Sequence, residues 1–200
     1  VETSNLYVTL VDWHLNSGDS LHSLFDANVT YERLFEPFEI SPGIVLPAGE
    51  YRFTPWRIMF MSAQKRRIHG RIGFNFGNFW SGTAKVIETA LTYKLPPWFS
   101  ITLNTNQTFA SLPQGDFIAR IYSAQVNYAV SSFLSLSNLI QFDNRSENLG
   151  LQSRVRWTIE PGNDVFFIFG QGWVQDLERG YDFRRQDSRL AMKFQYTFRF

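Results

Sequence analysis

The chain has 200 residues, no cysteine, and a formal net charge of +1 from 19 basic and 18 acidic residues. The lack of cysteine excludes disulfides, thiolate metal sites and cysteine nucleophiles. A mean hydropathy of −0.20, with no apolar run near the roughly 20 residues of a spanning helix, argues against helical membrane spans. The basic residues are mostly isolated and the pI is about 8.2, so nucleic acid is not an expected partner.

The unusual figure is the aromatic content of 17%, carried by 20 Phe, 8 Tyr and 6 Trp. Transmembrane β-barrels use aromatic side chains on the lipid face and in two interfacial girdles. Their mean hydropathy stays moderate because half of each strand is polar. The composition therefore favours a barrel over a helical membrane protein.

Period-two alternation of apolar and polar residues is the main structural signal of the chain. In chain order it predicts about ten strands, at 5–13, 50–62, 68–78, 83–94, 98–109, 116–130, 133–143, 149–159, 164–174 and 189–200. Segment 164–174 is apolar on both faces at first, so its alternation does not show which residues share a face. Strands of nine to fifteen residues suit a membrane barrel better than an average soluble sheet. The predicted fold is an all-β, antiparallel transmembrane β-barrel, either closed by these strands or part of a larger barrel.

Residues 1–200 are predicted to form one outer-membrane barrel domain or the C-terminal portion of one. Segment 14–49 has little clean period and is predicted to be a long outer loop, with or without a short hairpin. Later connections are predicted to alternate between short turns, such as 160–163, and longer outer loops, such as 175–188. The N-terminus lacks a signal-peptide pattern, so we expect either a removed leader or the C-terminal piece of a longer chain. The second is favoured because Val1 opens almost directly into a strand-like run.

Several segments resemble one bacterial family. They are ERLFEPFEISPGIVLPAGEYRF, FGNFWSG, LIQFDNRSENLGLQSRVRWTIEPGNDVFFIF and KFQYTFRF, which together extend from about Tyr31 to Phe200. The family is the C-terminal outer-membrane β-barrel domain of unknown function that follows a family-nine-like carbohydrate-binding module. The resemblance implies a bacterial (Gram-negative) outer-membrane location, contact with lipid and with the barrel-assembly machinery, and an N-terminal carbohydrate-binding module or another membrane subunit as partner. It also implies that Phe194, Tyr196, Phe198 and Phe200 form the C-terminal insertion signal.

Basic residues dominate the predicted inward face. If the apolar sets face lipid, six basic residues face the lumen: Arg57, Arg71, Arg154, Arg156, Lys193 and Arg199. Glu88 and Asp143 are among the few acids predicted there. Such a lumen would favour anionic solutes. The alternative is that the arginines form hydrogen-bonded ladders with acids and fill a narrow interior.

Aromatic residues near strand ends are predicted to be girdle residues. They are Trp56, Trp98, Trp157, Trp173, Tyr93 and Tyr128. Sugar stacking is the alternative, and Trp13 and Trp80 suit it best because they lie near the proposed outer loops.

No convincing catalytic constellation is found, so no catalytic residue, metal site or cofactor is predicted. His14, His22 and His69 are the only histidines; Asp19 and Ser20 lie near His22, but no nucleophile elbow or metal spacing accompanies them. Glu36 and Glu39 could be imagined as paired carboxylates. The oxygen-rich segments 143–148 and 175–188 lack the spacing of a calcium loop and are predicted to be solvated outer loops.

Three functions remain open at this point. The first is a porin-like pore or uptake-associated protein for glycan-derived or anionic solutes. The second is a structural barrel that anchors a soluble domain or a surface assembly. The third, with the least support, is an outer-membrane hydrolase.

Overall fold

The computed structural model describes residues 2–8, 12–176 and 182–198, and this part of the chain is all-β. Its strands are β1 (Glu2–Val8), β2 (Asp12–His14), β3 (Ser20–Leu34), β4 (Phe38–Ser41), β5 (Ile44–Leu46), β6 (Gly49–Phe53), β7 (Pro55–Met61), β8 (Ile68–Phe79), β9 (Gly82–Leu95), β10 (Phe99–Leu112), β11 (Gly115–Ala129), β12 (Leu134–Asp143), β13 (Asn148–Glu160), β14 (Asn163–Asp176) and β15 (Asp182–Gln195). No helix in the described ranges is long and apolar enough to cross a membrane.

Thirteen strands form one sheet in the order β1-β3-β7-β8-β9-β10-β11-β12-β13-β14-β15, with β2 and β6 also paired to β3. The hairpin β4–β5 forms a separate two-stranded sheet. The described registers of both sheets are antiparallel. Among the described strands, β1 and β15 each pair on one side only, and a closed barrel is not observed. The predicted all-β antiparallel class is therefore confirmed.

The chain divides into two compact units. Unit 1 comprises the described residues within 1–91 and 105–120, and unit 2 comprises those within 92–104 and 121–200. Strands β9, β10 and β11 each contribute one part of their length to each unit.

The prediction that segment 14–49 is a long loop, with at most a short hairpin, is wrong. It contains β3, which at 15 residues is among the longest strands, as well as the hairpin β4–β5. The register of β3 against β7 shifts by two residues between His22 and Asp26, so the same parity continues along the strand. Leu21, Val29 and Tyr31 all have this parity, so the alternation was present in the sequence and was not recognised.

The predicted alternation of short turns and longer outer loops is also wrong where the connections are described. The supposed outer connection between β10 and β11 is only 113–114, whereas the supposed inner connection between β7 and β8 is 62–67. Strand β15 begins at Asp182 rather than Arg189, inside the expected loop 175–188. Apart from Phe183, residues 182–189 are polar or charged, so they carried no alternation signal although their backbones pair with β14.

Alternation is clearest across β11–β15 in unit 2. One cross-strand row is apolar on every strand and consists of Tyr128, Leu136, Val155, Phe167 and Met192. The adjacent row, displaced by one residue, consists of Asn127, Ser137, Arg154, Ile168 and Ala191. Because successive side chains project to opposite faces, unit 2 has an apolar face and a face that is polar on β11–β13.

The apolar face of unit 2 is exposed. Phe167 is 42% exposed, Met192 55% and Phe194 67%, although all three belong to the apolar set. Interior packing therefore does not cover these side chains within the described chain.

Buried packing is concentrated instead around the hairpin β4–β5 in unit 1. Ile44 and Leu46 of β5 pack with Leu34 and Leu112, and Leu46 is fully buried. Rings around this cluster include Tyr51, Phe79, Trp80 and Phe117. The hairpin is thus fixed to the strand ends by an apolar core of its own.

Replacing Leu46 with Ala should lower the free energy of unfolding by about 2–5 kcal/mol, because it leaves a cavity in this cluster. The matched control is Val45→Ala in the same strand, where the side chain is 47% exposed and the cost should stay below about 1 kcal/mol. Equilibrium urea unfolding of both variants measures the difference. Equal losses would show that the cluster does not stabilise the hairpin.

Candidate functional site

The candidate site lies on the polar face of unit 2, where β11, β12 and β13 bring serine, asparagine, glutamine and arginine side chains into register. Asn127 pairs with Ser137, and Ser137 pairs with Arg154. In the next row towards the strand ends, Ser135 pairs with Arg156. Alternation on three consecutive strands therefore brings neutral hydrogen-bonding groups and two cations together.

The neutral groups form a hydrogen-bonded network centred on Asn127. Its amide nitrogen donates to Ser100 Oγ at 3.2 Å, and its Oδ1 accepts from Ser137 Oγ at 2.8 Å. Gln125 Nε2 also lies 3.4 Å from Asn127 Oδ1. Because the network lies across three strands, it fixes the positions of these side chains on the face.

Arg156 is held by a carboxylate. Its Nε donates to Asp164 Oδ1 at 3.0 Å and its guanidinium NH2 group to Oδ2 at 2.8 Å, which is a bidentate pair. Thr158 Oγ1 donates to the same carboxylate at 2.5 Å. Asp164 is buried, so Arg156 forms an arginine–carboxylate pair of the kind that the predicted hydrogen-bonded ladder contains.

Arg154 is different, although it lies only two residues away on the same face. Its side chain is exposed, and it forms no ion pair or side-chain hydrogen bond with any residue that the structure describes. Across the ladder it faces Ser137 on one side and Ile168 on the other, so no carboxylate is its direct neighbour. Arg154 thus presents its guanidinium group without a described carboxylate partner.

Three hollows follow this face, and Arg154 borders two of them. The largest has a volume of about 450 Å³ and is lined by both arginines together with Trp98 and Asn127. The second, of about 200 Å³, shares Arg154, Gln125 and Ser137 with the first. The third, of about 340 Å³, shares Leu139 and Gln152 with the second and reaches Asn148. From Arg156 to Asn148 a strand advances roughly 26 Å, so the hollows follow most of β13.

The other predicted lumen residues divide in the same way. Arg57 donates to Glu88 at 3.2 Å, and Asn75 donates to the same carboxylate at 3.1 Å, so this arginine belongs to a ladder. Arg71 is exposed and, within the described ranges, has no carboxylate partner. Lys193 Nζ lies 5.9 Å from the centre of the Phe166 ring. Arg199 lies outside the described residues.

The predicted girdle aromatics all lie close to strand ends. Trp98 immediately precedes β10, and each of the others lies within three residues of an end of its strand. These others are Trp56, Tyr93, Tyr128, Trp157 and Trp173. In unit 2, Tyr93, Trp98, Tyr128 and Trp157 share one end of the antiparallel strands, and Trp173 lies at the other. Of the sugar-stacking candidates, Trp80 packs against Tyr51 and Phe53, whereas Trp13 is 65% exposed.

Three of the four aromatic residues of the predicted C-terminal insertion signal lie in the described part of the chain. Phe194 lies in β15, whereas Tyr196 and Phe198 follow the strand, and their rings meet edge to face at 4.7 Å. Phe200 lies outside the described residues. The predicted strand 189–200 therefore ends earlier in the structure, at Gln195.

The remaining candidates from the sequence are acidic residues and histidines. The acidic residues Glu39 and Asp143 have structural contacts in turns. Glu39 Oε1 accepts from Gly43 N at 2.7 Å and closes the turn of β4–β5, and Asp143 Oδ1 accepts from Arg145 N at 2.8 Å. These contacts are those of turn residues. Among the histidines, His69 lies 3.3 Å from Arg66 O, whereas His14 and His22 meet Asp12 where β2 pairs with β3.

Sequence reasoning missed Asp164 as the partner of Arg156. The acids that it placed on the inward face were Glu88 and Asp143. Asp164 begins the segment DVFFIF, where apolar residues on both faces hide the alternation. The turn Glu160–Asn163 was predicted, but a regular hairpin through it would place Asp164 opposite Ile159. The register shift between Thr158 and Glu160 places Asp164 opposite Thr158 instead, on the face of Arg156.

No protein-family model, curated protein sequence or solved structure matches this chain. The resemblance to the outer-membrane domain therefore stays a prediction.

Replacing Arg156 with Gln should lower the midpoint of urea unfolding, because buried Asp164 loses its bidentate partner. Arg154→Gln is the matched control on the same strand and face, and should leave the midpoint nearly unchanged because the described contacts of Arg154 include no carboxylate. If both substitutions lowered the midpoint equally, Arg154 would also be part of the stabilising network.

Proposed function

We propose that this chain is an antiparallel transmembrane β-barrel, or a portion of one, in a bacterial outer membrane. Its apolar face contacts lipid and its polar face lines a solute pathway. The protein would be porin-like or uptake-associated, with anionic solutes as its cargo. Glycan-derived solutes as cargo, and a carbohydrate-binding module as partner, are proposed from the family resemblance alone.

Membrane embedding is supported by the exposed apolar row of unit 2. A face that includes Tyr128, Phe167 and Met192, all at least two-fifths exposed, would be a hazard in water, because large apolar patches drive association. In a bilayer the same face is solvated by acyl chains. Strands β8–β15 contain 10 to 15 residues, enough for the 9–11 residues that a tilted strand needs to span the membrane.

The preference for anions is carried by Arg154. An exposed guanidinium without a described carboxylate partner, beside a hollow lined with hydroxyl and amide groups, attracts an anion and offers it hydrogen bonds. The neighbouring Arg156 contributes less, because its charge is neutralised by Asp164. One arginine of the pair therefore supports the sheet and the other meets the solute.

A specific feature favours a second candidate, the structural barrel. In unit 1 the apolar cluster of the hairpin β4–β5 includes Leu112 and Phe117, which have the parity of the polar sets of β10 and β11. The hairpin therefore covers part of the inward face with apolar side chains. A barrel blocked in this way would anchor other parts of an assembly without conducting solute.

Reversal potentials of the purified chain in planar lipid bilayers test the proposal. Under a KCl gradient the wild-type chain should pass chloride in preference to potassium, and Arg154→Gln should reduce that preference because it removes the unpaired cation. The control is Arg185→Gln, which removes the same charge from an exposed position of β15 that borders none of the three hollows.

Two outcomes would contradict the solute pathway. Identical reversal potentials for the wild type and Arg154→Gln would show that Arg154 does not face the permeating ion. Insertion without conductance, with conductance appearing only after removal of residues 38–46, would favour the structural barrel.

A further inference from the structure

Two histidines and one aspartate converge at the pairing of β2 with β3 in unit 1. Asp12 lies directly opposite His22, and His14 lies opposite Ser20. His22 Nδ1 is 2.6 Å and His14 Nε2 is 3.2 Å from the same oxygen, Asp12 Oδ1. One ligating atom from each of the three residues lies within 4.8 Å of the others.

We propose that Asp12, His14 and His22 bind one divalent zinc ion and leave a fourth position open to water or another ligand. Zinc binds imidazole nitrogen and carboxylate oxygen at about 2.0–2.2 Å, and sites with three protein ligands keep an open position. Tetrahedral geometry at those lengths separates donor atoms by roughly 3.3–3.5 Å. The His14–Asp12 separation nearly meets this value, and the His22 ring needs to withdraw by less than about 1 Å.

The donor set selects the class of metal. Two imidazoles suit zinc and neighbouring transition metals, whereas calcium and magnesium prefer a shell made of oxygen atoms. Asp12 and His14 are about half exposed or more, with side-chain exposures of 47% and 66%, so an ion can reach them from solvent. The rings of the two histidines are 5.2 Å apart and nearly perpendicular, which lets one nitrogen of each approach the shared carboxylate.

Ser20 supplies the outer contact that metal-binding histidines normally have. Its Oγ lies 2.9 Å from His22 Nε2 and is buried. With Nδ1 on the metal, Nε2–H can donate to this hydroxyl, which fixes the ring and its tautomer. Ser20, His22 and Asp12 also have the order of a hydrolytic triad. Ser20 would be the nucleophile of that triad, but it is only 4% exposed and poorly accessible to a substrate. A triad would also leave His14 without a role.

The hairpin that presents the site is anchored at its turn. Asp19 accepts from Ala63 N at 2.8 Å and from Ser17 Oγ at 2.8 Å, and it forms a salt bridge with Arg66. The Arg66 guanidinium holds the pKa of the Asp19 carboxyl well below its usual range. These contacts attach the β2–β3 turn to the β7–β8 connection, so the ligands project from a fixed hairpin.

Zinc titration calorimetry of the chelator-treated chain, prepared without a histidine tag, tests the site. One equivalent of zinc should bind the wild type. His14→Ala and His22→Ala should each weaken the affinity by more than about 100-fold, while Ser20→Ala, which removes only the outer contact, should weaken it about 10–100-fold. His69→Ala is the matched control and should bind as the wild type, because His69 contacts Arg66 O and not this cluster.

Circular dichroism of each variant verifies folding, and the exposed position of His14 makes His14→Ala the variant of first choice. The visible absorption of bound cobalt(II) gives a second readout of tetrahedral nitrogen and oxygen ligation. The proposal is overturned if the wild type does not bind zinc, or if His14→Ala and His22→Ala bind as tightly as His69→Ala. Labelling of Ser20 by a fluorophosphonate in metal-free protein would also overturn it, by identifying a serine nucleophile.

Discussion

Interstrand hydrogen bonding is the constraint on which the described structure depends. Because neighbouring strands satisfy each other's backbone groups, consecutive side chains must project to opposite faces, and one strand cannot change its register alone. The row from Tyr128 to Met192 therefore stays apolar across five strands, and the adjacent row carries Asn127, Ser137 and Arg154. A sheet with two such different faces suits two different solvents.

The same constraint gives chemically identical residues different roles. Arg154 and Arg156 lie on one face of one strand, but only Arg156 has a buried carboxylate within reach, from Asp164 across the β13–β14 turn. In unit 1, Arg57 likewise has Glu88, whereas Arg71 has no described acid. Each unit thus has one arginine that pairs with a carboxylate and one without a described carboxylate partner. The hydrogen-bonded ladder predicted from the sequence applies to Arg57 and Arg156, whereas a lumen is proposed for the others.

Alternation made the all-β class and most of the long strands predictable: segments 116–130 and 149–159 match β11 and β13 to within one residue at each end. Two elements were missed. Strand β3 alternates but lies in a segment that was interpreted as a loop, and the start of β15 is polar on both faces apart from Phe183. The cluster of Asp12, His14 and His22 could not be found without β3, because its members meet only through that pairing. Arg154 was predicted as an inward residue, but its difference from Arg156 depends on side-chain geometry that spacing does not contain.

The two faces of this sheet are proposed to meet different solvents, lipid on one side and water on the other. Because the chain has no cysteine, single cysteines at 190, 191, 192, 193 and 194 of β15 can each be labelled with a fluorophore in the chain reconstituted into phospholipid vesicles. Quenching by a quencher attached to the lipid acyl chains should be strong at Leu190, Met192 and Phe194 and weak at Ala191 and Lys193. A water-soluble quencher should give the reverse order. Quenching without this period of two, or quenching only from water at all five positions, would contradict the account.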